Sequence, residues 1–273
     1  MRKTLLMMAV STLIFCASVV RAEQKLIDVH IHYSHDAWEM LPPPEAVNVL
    51  RKAGLKKAFV SSSSDKGTQM LYAEAPELIV PVLRPYRKRG EISTWFRDET
   101  VVDLIEEKLA ENTYAGIGEF HVYGEDARLP VIRRIVEIAD EKGIFLHAHS
   151  DAEAVEIIFE QNPSARVLWA HSGFVGPDKL SEMFDKYPNL TSDLAVRGEH
   201  DDGGKVDPVW RKLFTDYPNR IMLGTDTYAP ELWYYVIDHA NQTRAWLSDL
   251  PPDVAKKISQ ENAEALAAWA LNK

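Results

Sequence analysis

Asp28-Val29-His30-Ile31-His32 sets two imidazoles two residues apart in an apolar run, and His121, His147, His149 and His171 recur in similar settings. With Glu119 and Asp226 they supply nitrogen and anionic oxygen donors, the set that a catalytic divalent cation of the zinc type requires. Residues two apart on a strand share a face, so His30 and His32 can point together into an interior. Each piece has a plain alternative. The histidine pair would serve as hydrogen-bonded core residues, His171 as an ordinary strand-end residue, and Asp226 as a helix cap ahead of Glu231. The combination decides for a metal site, because matching residue types end five separate apolar segments. Core positions there would be better filled by apolar side chains.

The segments that must position these groups alternate along the whole chain. Apolar runs at residues 26–32, 56–62, 78–84, 115–121, 144–149, 166–171, 189–194 and 220–226 read as strands. Between them, helix-period segments fall at 46–53, 101–110, 131–142, 151–160, 179–186, 209–216, 231–247 and 253–271, with Gly54 and Gly143 as stops. Near-continuous apolar strands each followed by a helix call for a parallel sheet covered by helices. Eight such units in about 250 residues match a (β/α)₈ TIM barrel, whose reactive side chains project from the C-terminal strand ends. A doubly wound open sheet is the competing topology, but no glycine-rich loop follows the first strand.

Residues 1–22 read as a signal peptide. Arg2 and Lys3 precede an apolar stretch from Leu5 to Val20, and Val20-Arg21-Ala22 offers a cleavage site, so the mature chain is expected to begin at Glu23. Residues 23–273 then form one domain, periplasmic or secreted, with no membrane attachment after cleavage. Cleavage removes three basic residues and no acid, taking the net charge from −10 to −13 and arguing against a nucleic-acid partner. The sole cysteine, Cys16, leaves with the leader, so the core alone must stabilise the fold.

Several segments resemble the amidohydrolase superfamily, in particular the group called amidohydrolase 2, with some likeness to TatD-type hydrolases. They are Asp28-Val29-His30-Ile31-His32, Gly116-Ile117-Gly118-Glu119, His149-Ser150-Asp151, Trp169-Ala170-His171-Ser172-Gly173, Gly224-Thr225-Asp226, and Glu261-Asn262-Ala263-Glu264-Ala265-Leu266 near the C-terminus. The resemblance implies a TIM barrel holding one or two divalent ions, zinc foremost. His30 and His32, a fifth-strand histidine and Asp226 would be ligands. His149 matches the family's fifth-strand position, with His147 one layer deeper as the alternative. Glu119 would bridge two ions, as in TatD-type relatives, or stand beside a single one.

Such an ion lowers the pKa of bound water towards about 7. Asp226 would take a proton from that water and His171 would orient it or polarise a carbonyl, giving hydrolysis of an amide, ester or lactone. Arg84 and Arg197, at predicted strand ends, are suited to gripping a carboxylate, and Tyr33, Trp38 and His121 are candidate pocket-lining residues. The expected partner is a small substrate, with or without a carboxylate, and a homo-oligomer stays open. Metal-dependent decarboxylation uses the same residues and is the alternative. A non-catalytic solute- or metal-binding barrel is the second.

Overall fold

The computed structural model describes residues 24–272 apart from residue 89, so the expected leader and its junction at Glu23 lie outside the described residues. Strands β1 (Leu26–Ile31), β2 (Leu55–Val60), β3 (Ile79–Leu83), β4 (Gly116–His121), β5 (Phe145–His149), β6 (Val167–Trp169) and β7 (Leu190–Asp193) pair in chain order, all parallel. An eighth strand, Ile221–Met222, pairs with β7. A single parallel bridge, Asp28 to Leu223, joins it back to β1, with the Val29 N–H donating to the Leu223 carbonyl at 2.9 Å. Eight parallel strands thus form a nearly closed barrel.

A helix of nine or more residues follows each strand: Pro43–Lys52, Lys66–Glu74, Thr100–Glu111, Pro130–Lys142, Ala152–Gln161, Pro177–Lys186, Pro208–Asp216 and Val236–Leu247. Four of them open on proline, whose missing N–H costs nothing in a first turn. Gly54 (φ 72°) and Gly143 (φ 58°) end two segments in the left-handed conformation that glycine adopts without penalty. Asp151 caps Ala152–Gln161 by accepting from the Ala154 N–H at 2.9 Å. None of the described helices is long and apolar enough to cross a membrane.

The barrel interior is filled by Ile27, Val29, Phe59, Val80, Val82, Phe145, Leu168 and Met222, with Ala263, Leu266 and Ala270 of helix Asn262–Leu271 packed against them. A larger shell of apolar residues lies between strands and helices.

Three segments depart from expectation. Helix Lys66–Glu74 carries only one large buried apolar residue, Leu71, so its periodicity is weak. It packs through Gly67, where a Cβ would stand 1.9 Å from the Tyr33 carbonyl oxygen. The strands expected over 166–171 and 220–226 stop at Trp169 and Met222, and the chain then enters turns with left-handed residues at His171 and Asp226. The C-terminal segment expected as one helix is Pro252–Lys256, a π turn Lys257–Glu261 and Asn262–Leu271.

Candidate active site

At the C-terminal ends of the strands, five of the expected residues meet. His30 Nε2 and His32 Nε2 are 3.2 Å apart. Asp226 Oδ1 lies 3.7 Å from the first and 3.2 Å from the second. His171 Nε2 is 3.8 Å from Asp226 Oδ2 and 3.4 Å from Glu119 Oε1. Glu119 also reaches His30 Nε2 at 3.5 Å and His32 Nε2 at 3.2 Å. All five side chains are buried.

The far nitrogen of three imidazoles is fixed by an acceptor. His32 Nδ1 donates to the Ser61 carbonyl at 2.6 Å, His171 Nδ1 to the Ala195 carbonyl at 2.9 Å, and His30 Nδ1 to Asp193 Oδ2 at 3.2 Å. Because these partners only accept, each neutral ring keeps its proton on Nδ1 and turns the Nε2 lone pair into the common space. Asp226 Oδ1 is buried there without a well-directed hydrogen-bond donor. Lone pairs facing a carboxylate oxygen repel one another unless a proton or a cation lies between them. The donor set of nitrogen and carboxylate oxygen therefore fits a divalent ion of the zinc type.

Two carboxylates that the sequence reading passed over hold this arrangement. Asp193, at the end of β7, is saturated: Oδ1 accepts from the N–H groups of His171 (3.0 Å) and Ala195 (2.9 Å), and Oδ2 from His30 and from His147 Nε2 (3.1 Å). Its signal was faint: an acid stands near the end of the expected strand over 189–194, but in the polar stretch Thr191-Ser192-Asp193 rather than after an apolar run. Asp28 accepts from the His30 N–H at 2.9 Å, the Thr225 N–H at 3.2 Å and the Thr225 hydroxyl. It thereby ties β1 to the loop that carries Asp226. That loop passes close to His30 through Gly224, where a Cβ would meet His30 Cβ at 2.8 Å and Ala195 Cβ at 2.9 Å.

The electrostatics follow from crowding acids and imidazoles out of water. Burial disfavours the charged form of His30, but the charges of Asp226, Asp193 and Glu119 outweigh it and hold its pKa well above the usual histidine value. His171 is also raised: burial opposes its charge, and Glu119 more than compensates. Burial would raise Glu119, Asp193 and Asp226, yet all three lie below the ordinary carboxylate value, chiefly because of His30. For Asp28, burial outweighs the hydrogen bonds from Thr225 and His30 and the smaller effect of the His30 charge, and pushes it up to about 6. Burial takes His121 the other way, down to about 3, so it stays neutral.

His149 and His147 part company. His149 Nδ1 donates to Glu119 Oε1 at 2.7 Å, and its ring stacks on His121 with centroids 4.0 Å apart. His147 sits beside His30 and donates to Asp193. Glu119 is further engaged by Arg84, whose Nη2 is 2.7 Å from Oε2 and whose Nε donates to the Glu119 carbonyl at 3.1 Å. His121 Nδ1 accepts from the Tyr86 hydroxyl at 2.9 Å.

Three of the expected substrate contacts are corrected. Tyr33 is a core residue, fully buried against Trp233, with its hydroxyl donating to the Leu41 carbonyl at 2.6 Å. Trp38 is half-buried beside His35 in the short helix that follows His32, and its indole donates to the Tyr33 carbonyl at 2.8 Å. Arg197 spends its guanidinium on the carbonyls of His171 (2.8 Å) and Val175 (2.9 Å) and on Glu199. Arg84, by contrast, lines a cavity of about 380 Å³ together with His35, Tyr86, Lys88 and Tyr228.

A barrel with such a cluster at its C-terminal face defines a class of proteins that do chemistry on small molecules. The model of the Amidohydrolase family (Amidohydro_2) matches residues 27–266, and the chain belongs to that family. No curated protein matches it by sequence. Among solved structures it is similar to an uncharacterised TIM-barrel protein from Bordetella bronchiseptica, with 13% identity, a TM-score of 0.62, and coverage of 90% of this chain and 99% of that one. A candidate 2-pyrone-4,6-dicarboxylic acid hydrolase from Pseudomonas putida aligns at 12% identity and TM-score 0.59, covering 90% and 98%. A second candidate for that activity, from Acinetobacter baumannii with citric acid bound, aligns at 11% and 0.56, covering 89% and 99%. At these identities the likeness shows the fold.

Proposed function

We propose that this protein is a metal-dependent hydrolase that cleaves an amide, ester or lactone of a small carboxylated substrate. The observation that carries the reading is the convergence of His30 Nε2 and His32 Nε2, each ring held at Nδ1 by an acceptor, on Asp226 Oδ1, a buried oxygen with no well-directed donor. His30, His32 and Asp226 would hold the ion. When bound, it would supply a water acidified enough to lose a proton near neutral pH. Asp226, ionised at that pH, is placed to take the proton and hand it to the leaving group. His171, its pKa raised, is placed to donate from Nε2 to an oxygen on which negative charge develops. His149, in contact with Glu119, is the fifth-strand residue we assign to the site, with His147 orienting Asp193 behind it.

Arg84 already balances the charge of Glu119 at 2.7 Å, which supports one ion with Glu119 beside it over two ions bridged by it. The position of Arg84 on the cavity wall, with Lys88 and His35, supports a carboxylate on the substrate. The two candidate dicarboxylic acid hydrolases among the structural neighbours agree with that class. The basic start and apolar stretch of residues 2–20 support export with processing before Glu23.

The test is turnover. Purified protein is incubated with panels of carboxylated esters, lactones and amides, and with the corresponding free acids. New acid, alcohol or amine supports hydrolysis. Release of CO₂ from the free acids, without hydrolysis, would replace this reading by decarboxylation.

A further inference from the structure

Phe174 stands directly above the site in a conformation that its own chemistry opposes. Its φ is 54°, following His171 (55°), Ser172 (51°) and Gly173 (61°), four consecutive left-handed residues of which three are not glycine. For a bulky L-residue this is unfavourable, and it persists only where the surroundings over-determine it. They do so here from three sides. Arg197 clamps the turn at both ends by donating to the carbonyls of His171 and Val175. The Ser172 hydroxyl donates to the Asp193 carbonyl at 2.8 Å. Gly173 lies flat on Trp169, where a Cβ would come within 2.0 Å of the indole.

What this strained turn presents is a large apolar ring in the open. Phe174 is 57% exposed, although it stacks on His171 with centroids 4.8 Å apart and planes at 21°. Its ring lies 5.9 Å from that of His149. Burying it would have been the stabilising choice; instead the fold spends a buried arginine to hold it at the rim of the reacting groups.

We propose that Phe174 determines substrate specificity, its exposed surface forming the apolar wall for the hydrocarbon part of a substrate whose reacting group sits at His171 and Asp226. The proposal rests on reading the His30–Asp226 cluster as the reacting centre, though not on which bond is cleaved there.

Binding calorimetry on the purified full chain, with metal content recorded, tests it with two probes that share a carboxylate: cyclohexanecarboxylate and acetate. The wild type should bind the ring acid more tightly than acetate. Phe174→Ala should weaken the ring acid by roughly fivefold, as expected for removing some 40 Å² of apolar contact, and leave acetate unchanged. Phe174→Leu should retain most of the preference. Equal weakening of both probes in Phe174→Ala would mark a purely structural residue and overturn the proposal, as would an unchanged preference or a wild type that does not favour the ring acid. Failure to turn over any ester, lactone or amide while this binding pattern holds would count against hydrolysis and leave the assignment of Phe174 standing.

Discussion

Asp226 and Asp28 are both buried acids on the same loop-to-strand junction, yet they stand on opposite sides of their ordinary pKa. Asp226 faces His30 and His32 and is held ionised, whereas Asp28 accepts neutral donors only and is pushed up to about 6. Their expected mutational signatures differ accordingly. Asp226→Asn keeps the shape but removes the proton acceptor, so kcat/KM should fall by roughly 10²–10⁴-fold with the far-ultraviolet circular dichroism spectrum unchanged. In the metal-free protein, Asp28 binds its proton more tightly folded than unfolded. Its contribution is therefore favourable at low pH and is lost as pH rises from about 4 through about 6. Asp28→Asn should gain thermal stability relative to wild type across that interval, read as a difference in Tm at pH 4 and pH 7. A difference that does not change with pH would count against burial as the cause of the raised Asp28 pKa. His30 carries the opposite consequence for metal uptake. Its raised pKa means a proton must leave before Nε2 can bind an ion, so apparent affinity should weaken towards acid pH, and loading in weak buffer should release protons.

At the scale of elements, the first, fourth and fifth strands were legible because apolar alternation and strand-end histidines coincide there. His30, His32, Glu119, His121 and His149 all lie at or just beyond those strand ends. The sixth and eighth were legible as positions and not as conformations. Local sequence shows where His171 and Asp226 fall, but the left-handed turns that aim them depend on partners far along the chain: Arg197, Asp193 and Asp28. The misplacement of Arg197 and Tyr33 has the same origin, since a strand-end arginine and a tyrosine beyond a histidine pair read alike whether they face substrate or backbone carbonyls. Gly173→Ala tests the turn. A Cβ 2.0 Å from Trp169 at φ 61° should destabilise by about 2 kcal/mol or more, lowering the denaturant midpoint and, by moving His171, activity with it.

For the whole molecule, one barrel with a single seam bridge to its two-residue eighth strand should melt as one unit, and an ion shared by residues from β1 and the loop after the eighth strand would tie that seam from inside. Saturating metal at about a hundred times its Kd should add about 2.7 kcal/mol, visible as a rise in Tm that His30→Ala abolishes. Composition alone pointed to a single stable domain and away from nucleic acid; it carried no information on the substrate, which depends on loops such as those bearing Arg84 and Phe174. The measurement that bears most directly on the central claim is elemental analysis of the purified protein, beside a His30→Ala/His32→Ala variant and Glu119→Ala. The expected result is about one equivalent of zinc or a similar divalent metal, lost in the double histidine variant and retained without Glu119. Two equivalents falling to one in Glu119→Ala would contradict the single-ion assignment, and no metal under any reconstitution condition would contradict metal-dependent hydrolysis altogether.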